Sequence, residues 1–195
     1  DRYPEYLFMH TSPQQYDYIR EDYPEIYQKI QRRVKEGRWE PNGGMWVECD
    51  CNLPSGESFV RQFLYGTRFF EQEFGAKSNC LWMPDVFGYS SALPQIMKQC
   101  GIDTFITTKM AWNDQNRMPY DTFYWKGIDG SQVVTHLITG EGTCSGGTAS
   151  PRMTCSLWDS YNSKDLNTEV LGGIGFGDGG GGPNRDMLEN VRRVG

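Results

Sequence analysis

Short apolar runs alternate with segments of helical period along the first half of the chain, and this alternation constrains the fold more than any other feature. Four apolar runs predict strands, at residues 6–9, 45–49, 80–83 and 104–108. Between the first two runs, apolar residues recur at steps of three and four from Tyr16 to Val34, which is the period of a helix. Strands that alternate with helices form parallel sheets with crossover connections. The sequence therefore predicts an α/β fold.

Proline, serine and glycine residues predict where the helices begin and end. Pro24 interrupts the first helical pattern and is predicted to begin a second helix, because proline is tolerated at the first helical position. That helix is expected to end at Gly37. Ser55 is a candidate N-cap for a third helix, which has an apolar face of phenylalanines and ends at Gly75. A fourth helix is predicted over about residues 91–99.

The pattern changes after residue 120. Two apolar runs, 123–125 and 133–138, flank Asp129 and Gly130, which is typical of a β-hairpin. Residues 139–163 are rich in glycine, serine and threonine, which predicts a loop. The remaining expectations are a strand over 173–176 and a last helix from about Asn184.

Charge and composition exclude several classes of function. The formal net charge of −6 disfavours nonspecific binding to nucleic acid or to anionic membranes. No apolar run approaches the roughly 20 residues of a membrane helix. The 6 cysteines are too few for a disulfide framework and form no C-x-x-C pair, so reduced thiols are expected and a zinc ribbon has almost no support. The many aromatic and glycine residues favour loops around a ligand cleft.

Polar residues follow the predicted strands, at the end where parallel α/β folds bind ligands. For each one, a turn residue or a helix cap is the alternative explanation. Carboxylates from several strands would share one rim, and paired carboxylates are the groups that hydrolyse glycosides. The polar residues that follow the predicted strands are His10, Asp50 with Asn52, Asp85, Lys109 and Asp178.

Asp85 is the strongest single candidate. It follows an apolar strand that contains Trp82, and Phe87 and Tyr89 come shortly after it, so the carboxylate would meet a sugar face between aromatic rings. The alternative role, an N-cap, is disfavoured because the next helix is predicted to begin about five residues later.

Asp178 lies in a glycine-rich run that lacks the Gly-Lys-Ser/Thr of a phosphate loop. Close approach of the backbone to a ligand and a flexible loop both explain such a run. The 2 histidines, His10 and His136, are far apart in sequence and are each expected to be structural.

Several longer motifs carry a resemblance that covers nearly the whole chain. They are GGMWVE (43–48), NLPSGES (52–58), RQFLYG (61–66), WMPDVFGYS (82–90), LPQI (93–96), GID (101–103), TTK (107–109), DTFYWKGIDG (121–130) and GDGGGGP (177–183). In these motifs the chain resembles the catalytic domain of glycoside hydrolase family 38 α-mannosidases, and most of all the branch of cytosolic, vacuolar and bacterial enzymes.

The resemblance implies a partial seven-stranded β/α barrel and a retaining exo-α-mannosidase that uses one zinc ion. It makes Asp85 both the nucleophile and a zinc ligand. In the family, an upstream His-x-Asp and a downstream His complete the zinc site. No His-x-Asp occurs in these 195 residues, the downstream His is expected beyond the matching segment, and His10 and His136 occupy neither position. Residues 1–195 are therefore expected to be part of a single catalytic barrel domain that is truncated at both ends. The remaining zinc ligands would lie outside the chain, and the isolated chain is expected to be inactive.

The resemblance also makes Asp178 the candidate acid/base, because the family's acid lies in a Gly-Asp segment that matches Gly177-Asp178. From their places at and beside the strand ends, substrate-binding positions are expected at Asp50, Trp82, Phe87, Tyr89 and Lys109. Core packing is the alternative for Trp82, and an ordinary surface lysine is the alternative for Lys109.

The expected partners are a mannose-containing glycan and the rest of the parent chain, and a homo-oligomer is also possible. Neither nucleic acid nor a membrane is expected as a partner. The expected location is the cytoplasm, with the vacuole or lysosome as the alternative. A second class of function stays open: an incomplete fragment, or an inactive homologue that only binds carbohydrate. A metal-dependent polysaccharide deacetylase is a distant third, because its clustered His and Asp motifs are missing.

Overall fold

The computed structural model describes residues 2–140, 148–176 and 181–194. The chain divides into two compact units. The major unit comprises Glu5–Ile106 and Tyr124–Thr135. The minor unit comprises Asp1–Pro4, Thr107–Phe123 and His136–Gly195.

Strands and helices alternate through residue 107, as the sequence predicts, and the α/β class is confirmed. The elements up to that point are β1 (Phe8–His10), α1 (Pro13–Asp22), α2 (Pro24–Lys35), β2 (Trp39–Pro41), α3 (Gly56–Phe74), β3 (Cys80–Trp82), α4 (Leu93–Gln99) and β4 (Thr104–Thr107). After a short 3-10 helix (Lys109–Ala111), the elements are β5 (Thr122–Lys126), β6 (Gln132–Leu137), α5 (Pro151–Ser160) and α6 (Arg185–Val194).

The strands pair in two sheets. β1 and β2 are parallel, and a second sheet has the order β3-β4-β6-β5. β3 is parallel to β4, with Cys80 opposite Thr104 and Trp82 opposite Ile106. The chain from β3 to β4 passes through α4, which is the crossover helix that a parallel pair requires. The seven-stranded barrel stays a prediction.

The pairing of β6 follows from its backbone hydrogen bonds. Val134 N–H donates to Asp103 O (2.8 Å) and Ile138 N–H donates to Thr107 O (2.9 Å), so both strands advance together and β6 is parallel to β4. On the other side, Leu137 N–H donates to Asp121 O (2.7 Å).

The predicted β-hairpin is confirmed. Gly127 N–H donates to Ser131 O (2.8 Å) at the turn between β5 and β6. Gly130 has φ +90°, a conformation that glycine adopts without strain. The turn thus reverses the chain at the Asp129-Gly130 pair that the sequence singles out.

The predicted caps of α3 are also present. Ser55 Oγ accepts a hydrogen bond from Ser58 N–H (3.3 Å), and Gly75 ends the helix with φ +65°. The phenylalanines of α3 are divided between two clusters: Phe59 and Phe63 pack with β3 and α4, whereas Phe69 and Phe70 pack with α1 and α2. Because its phenylalanines belong to both clusters, α3 is the central helix of the major unit. Burial of each phenylalanine is worth about 1.5–3 kcal/mol.

The predicted strand over 45–49 is wrong. The strand lies earlier, at β2, and the chain then turns at Gly43 and Gly44, which have φ +111° and +82°. Such a backbone cannot continue an extended strand. Met45 N–H bonds back to Gly43 O (3.0 Å), and Met45 itself is buried. Asp50 therefore does not lie at the end of a strand.

The predicted loop over 139–163 is wrong in its second half, which contains α5. Ser150 Oγ caps this helix by accepting from Met153 N–H (3.2 Å), and Pro151 stands at its first position. Met153, Leu157 and Tyr161 recur at steps of four and are all buried. Both signals are present in the sequence, and the polar composition of the region conceals them.

The predicted strand over 173–176 is also wrong. Only Phe176 takes part in a bridge, through its N–H to Gly181 O (2.9 Å). The last helix is confirmed: α6 begins at Arg185, and Asn184 Oδ1 accepts from Met187 N–H (2.9 Å) as a cap. Among the helices in the described residues, none is long and apolar enough to span a membrane.

Candidate active site

The segment that follows β3, residues 83–90, carries Asp85 and is called the Asp85 loop here. Met83 and Val86 are buried, whereas Asp85 between them is exposed. The hydroxyl of Tyr89 donates within the loop, lying 2.7 Å from Val86 O and 3.2 Å from Met83 O. The loop is thus closed on itself, with Asp85 at its outer side.

Two further contacts fix the end of the Asp85 loop. The ring of Tyr89 packs edge-on against Phe105 of β4, with the centroids 5.0 Å apart. Gly88 has φ +117°, which residues with a side chain rarely adopt, and the side chain of Asn52 lies beside it. A rigid loop at the carboxyl end of a parallel strand is where α/β folds bind ligands.

Glu48, a residue that the sequence does not single out, contacts the candidate nucleophile. Its Oε1 accepts a hydrogen bond from the backbone N–H of Asp85 (2.7 Å). The strand predicted over 45–49 would place Glu48 in an extended strand, whereas the structure places it in a loop next to Asp85. Glu48 and Asp85 are 37 residues apart and lie in two different loops. A single sequence contains no local pattern that predicts such a contact.

The carboxylate of Asp50 belongs to a turn. Asp50 Oδ1 accepts from Asn52 N–H (2.6 Å) and from Leu53 N–H (2.9 Å), as in an Asx turn. Asp50 is exposed. Its substrate-binding role stays a prediction, although the strand end on which it rested is absent.

Two aromatic rings flank Asp85 in sequence. The side chain of Phe87, two residues after Asp85, is 67% exposed. Trp82 is half-buried, and its backbone N–H donates to Gly43 O (3.4 Å). An exposed ring beside a carboxylate suits the apolar face of a sugar.

In the minor unit, Lys109 follows β4, as the sequence predicts. Its Nζ lies 3.5 Å from the centroid of the Trp112 ring, a cation–π contact. Asp178 lies outside the described residues.

Both histidines occupy packed positions. His10 lies at the end of β1 with its ring 5.1 Å from that of Tyr16, and burial lowers its pKa. His136 Nδ1 lies 2.9 Å from Thr122 Oγ1, and burial lowers its pKa while the charge of Asp121 opposes that shift. These contacts agree with the structural roles expected from the sequence.

The donor set for zinc is incomplete in the part of the chain that the structure describes. There, no group of three or more His, Cys, Asp or Glu residues could hold a metal ion. Cys49, Cys51, Cys80, Cys100 and Cys155 are free thiols. Burial raises the pKa of Cys49 and of Cys80 to about 11, so both thiols are protonated at neutral pH.

These features define an α/β domain with a carboxylate on a rigid loop at the carboxyl end of a parallel strand. The family model described as the glycosyl hydrolases family 38 N-terminal domain matches residues 1–195. The chain therefore belongs to glycosyl hydrolases family 38, which confirms the resemblance seen in its motifs.

Individual relatives with high sequence identity support the same family assignment. The chain is 46% identical over 193 residues to alpha-mannosidase G of Dictyostelium discoideum, covering 98% of this chain and 17% of that protein. It is 43% identical over 194 residues to alpha-mannosidase 2C1 of Homo sapiens, covering 100% and 18%. The solved structure of an alpha-mannosidase from Enterococcus faecalis V583 has the same fold, with a TM-score of 0.64 and 21% identity over 80% of this chain and 18% of that one. The chain thus spans less than a fifth of the length of these relatives.

Proposed function

We propose that the enzyme to which this chain belongs is a retaining exo-α-mannosidase that acts on terminal α-mannosides of glycans, with Asp85 as its nucleophile. The observation that carries the proposal is the exposed carboxylate of Asp85 on a rigid loop at the carboxyl end of β3. The curated relatives that match the whole chain at 43–46% identity are α-mannosidases, which supports the substrate class.

In this mechanism the carboxylate of Asp85 attacks the anomeric carbon, and the bond to the leaving oxygen breaks. A second carboxyl group protonates that oxygen and then removes a proton from the water that hydrolyses the glycosyl-enzyme. We assign this second role to Asp178. The exposed ring of Phe87 would pack against the sugar beside the nucleophile.

We further propose that Asp85 is one ligand of a zinc ion whose other ligands lie outside these 195 residues. The described residues do not complete a metal site, so no step is assigned to the ion. The proposed location is the cytoplasm.

The test is Asp85→Asn in the full-length protein, with 4-nitrophenyl α-D-mannoside as substrate. The change keeps the size of the side chain and removes the attacking charge, so kcat should fall by at least about 10⁴-fold. The bound zinc, measured by elemental analysis, should also decrease. Asp103→Asn is the matched control, because Asp103 precedes β4, lies at the opposite end of the parallel pair and is exposed.

Asp178→Asn distinguishes the role of the acid/base from that of the nucleophile. An acid/base variant should hydrolyse mannosides with good leaving groups better than natural glycosides, and azide should restore its second step. Near-normal turnover by Asp85→Asn contradicts the assignment of the nucleophile. Mannose binding with no turnover in the unmodified protein would favour the carbohydrate-binding alternative.

A further inference from the structure

The backbone of the candidate nucleophile is held by a carboxylate from another segment. Glu48 Oε1 accepts from Asp85 N–H at 2.7 Å. At 2.7 Å this hydrogen bond is short and well within the normal range for an N–H donor and an oxygen acceptor, so it constrains the peptide plane that carries the N–H of Asp85. The side chain of Asp85 is attached directly after this peptide, so the orientation of the peptide plane sets the direction of the carboxylate.

Glu48 is itself on a fixed segment. Trp46 N–H donates to Gln62 O of α3 (2.9 Å), and Val47 N–H donates to Gln62 Oε1 (2.9 Å). The indole N–H of Trp46 donates to Gln14 Oε1 of α1 (2.9 Å). Residues 46 and 47 therefore bind to two helices directly before Glu48.

The same segment meets the Asp85 loop at two further points. The side chain of Asn52 lies beside Gly88. Burial raises the pKa of the Cys51 thiol, and the backbone of Ser90 acts on the same thiol with a smaller, lowering effect on its pKa. Segment 48–52 therefore runs along the loop from Asp85 to Ser90. The bond of Glu48 is the one that acts on the residue with the proposed chemistry.

We propose that Glu48 is a positioning residue for Asp85, a role that rests on the proposed function. Glu48 acts through the backbone N–H of Asp85 rather than on the substrate. Its loss should therefore lower kcat and leave KM nearly unchanged. A misplacement of about 1 Å in a reacting group costs on the order of 100-fold in rate, which sets the scale of the effect.

The test compares three variants of the full-length protein with 4-nitrophenyl α-D-mannoside. Glu48→Ala removes the acceptor, and Glu48→Asp withdraws it by about one C–C bond, so kcat should fall by about 10- to 100-fold in both. Glu48→Gln keeps an acceptor oxygen at the same length and should stay within about threefold of the unmodified enzyme. Glu57→Ala is the control, because Glu57 is an exposed carboxylate of α3 that pairs with Arg61 of the same helix (2.9 Å), and it should leave kcat unchanged.

A second readout separates positioning from folding. An activated fluorinated mannoside that traps the glycosyl-enzyme should label Asp85 more slowly in Glu48→Ala, at an unchanged melting temperature. The proposal is overturned if Glu48→Ala keeps kcat within about threefold, if Glu48→Gln loses as much as Glu48→Ala, or if the loss of kcat follows a loss of stability. If Asp85→Asn itself keeps its activity, the proposed function is wrong, and that result is independent of the Glu48 variants.

Discussion

Gly66 is the point at which α3 comes closest to the segment that leads to Glu48. A Cβ atom at Gly66 would lie 2.5 Å from Gly44 O and from Met45 C, and 2.8 Å from Trp46 N. These are backbone atoms, so no side-chain rotation relieves the overlap. Ordinary contact begins at 3.4 Å, and Gly66→Ala therefore requires α3 and residues 44–46 to separate by about 0.9 Å.

The expected cost follows from two opposing effects. Insertion of a methyl group into a packed interface costs about 3 kcal/mol, whereas alanine in place of glycine within a helix returns about 1 kcal/mol. The free energy of unfolding should thus fall by about 2 kcal/mol. The same movement stretches the bond from Trp46 N–H to Gln62 O (2.9 Å), so kcat should fall by about tenfold or more.

The assay is urea denaturation of the full-length protein followed by tryptophan fluorescence, together with kcat on 4-nitrophenyl α-D-mannoside. Gly56→Ala is the control in the same helix, because a Cβ atom at Gly56 has no neighbour within 4 Å. That variant should be as stable as the unmodified protein, or more stable by up to about 1 kcal/mol. If Gly66→Ala unfolds within about 0.5 kcal/mol of the unmodified protein, the close packing of α3 on residues 44–46 is wrong.

Two more predictions concern Tyr89 and His10. Tyr89→Phe removes the hydroxyl that bonds Met83 O and Val86 O, and should lower the free energy of unfolding by about 1–2 kcal/mol in urea denaturation, whereas Tyr124→Phe, at an exposed tyrosine of β5, should not. An equal effect of the two variants would contradict the closed loop. Burial lowers the pKa of His10, so the unfolded chain binds a proton more readily, and stability should decrease as pH falls below about 6.5. His10→Gln should reduce the slope of unfolding free energy against pH between 5 and 6.5, and an unchanged slope would show that His10 does not contribute.

The sequence predicts those parts of the fold that local chemistry determines. Ser55 and Gly75 mark the ends of α3 because a hydroxyl caps the first turn and a glycine takes the left-handed conformation at the last. The break between α1 and α2 falls at Pro24 for a similar reason. The strand over 45–49 fails because an apolar composition does not reveal that Gly43 and Gly44 turn the chain.

The same distinction between local and long-range chemistry applies to the candidate site. Asp85 can be found from sequence, because it follows an apolar strand and stands within a family motif, and its position after β3 agrees with that expectation. The contacts of the Asp85 loop cannot be found this way. The bond between Tyr89 and Val86 O depends on a loop conformation, and the bond from Glu48 depends on packing between segments that are distant in sequence.

Together these contacts connect the core of the major unit to the candidate nucleophile. The buried phenylalanines of α3 fix the helix, and Gly66 lets the backbone of residues 44–46 lie directly against it. Gln62 then binds Trp46 and Val47 through its carbonyl and amide oxygens, which leaves Glu48 directed at Asp85 N–H. A substitution in α3 far from any substrate should therefore change kcat through Glu48, whereas a substitution on the exposed side of the same helix, such as at Gly56, should not. The Gly66 and Glu48 variants test the two ends of this connection, and their effects on kcat should be less than additive when combined, because both act on the same hydrogen bond to Asp85.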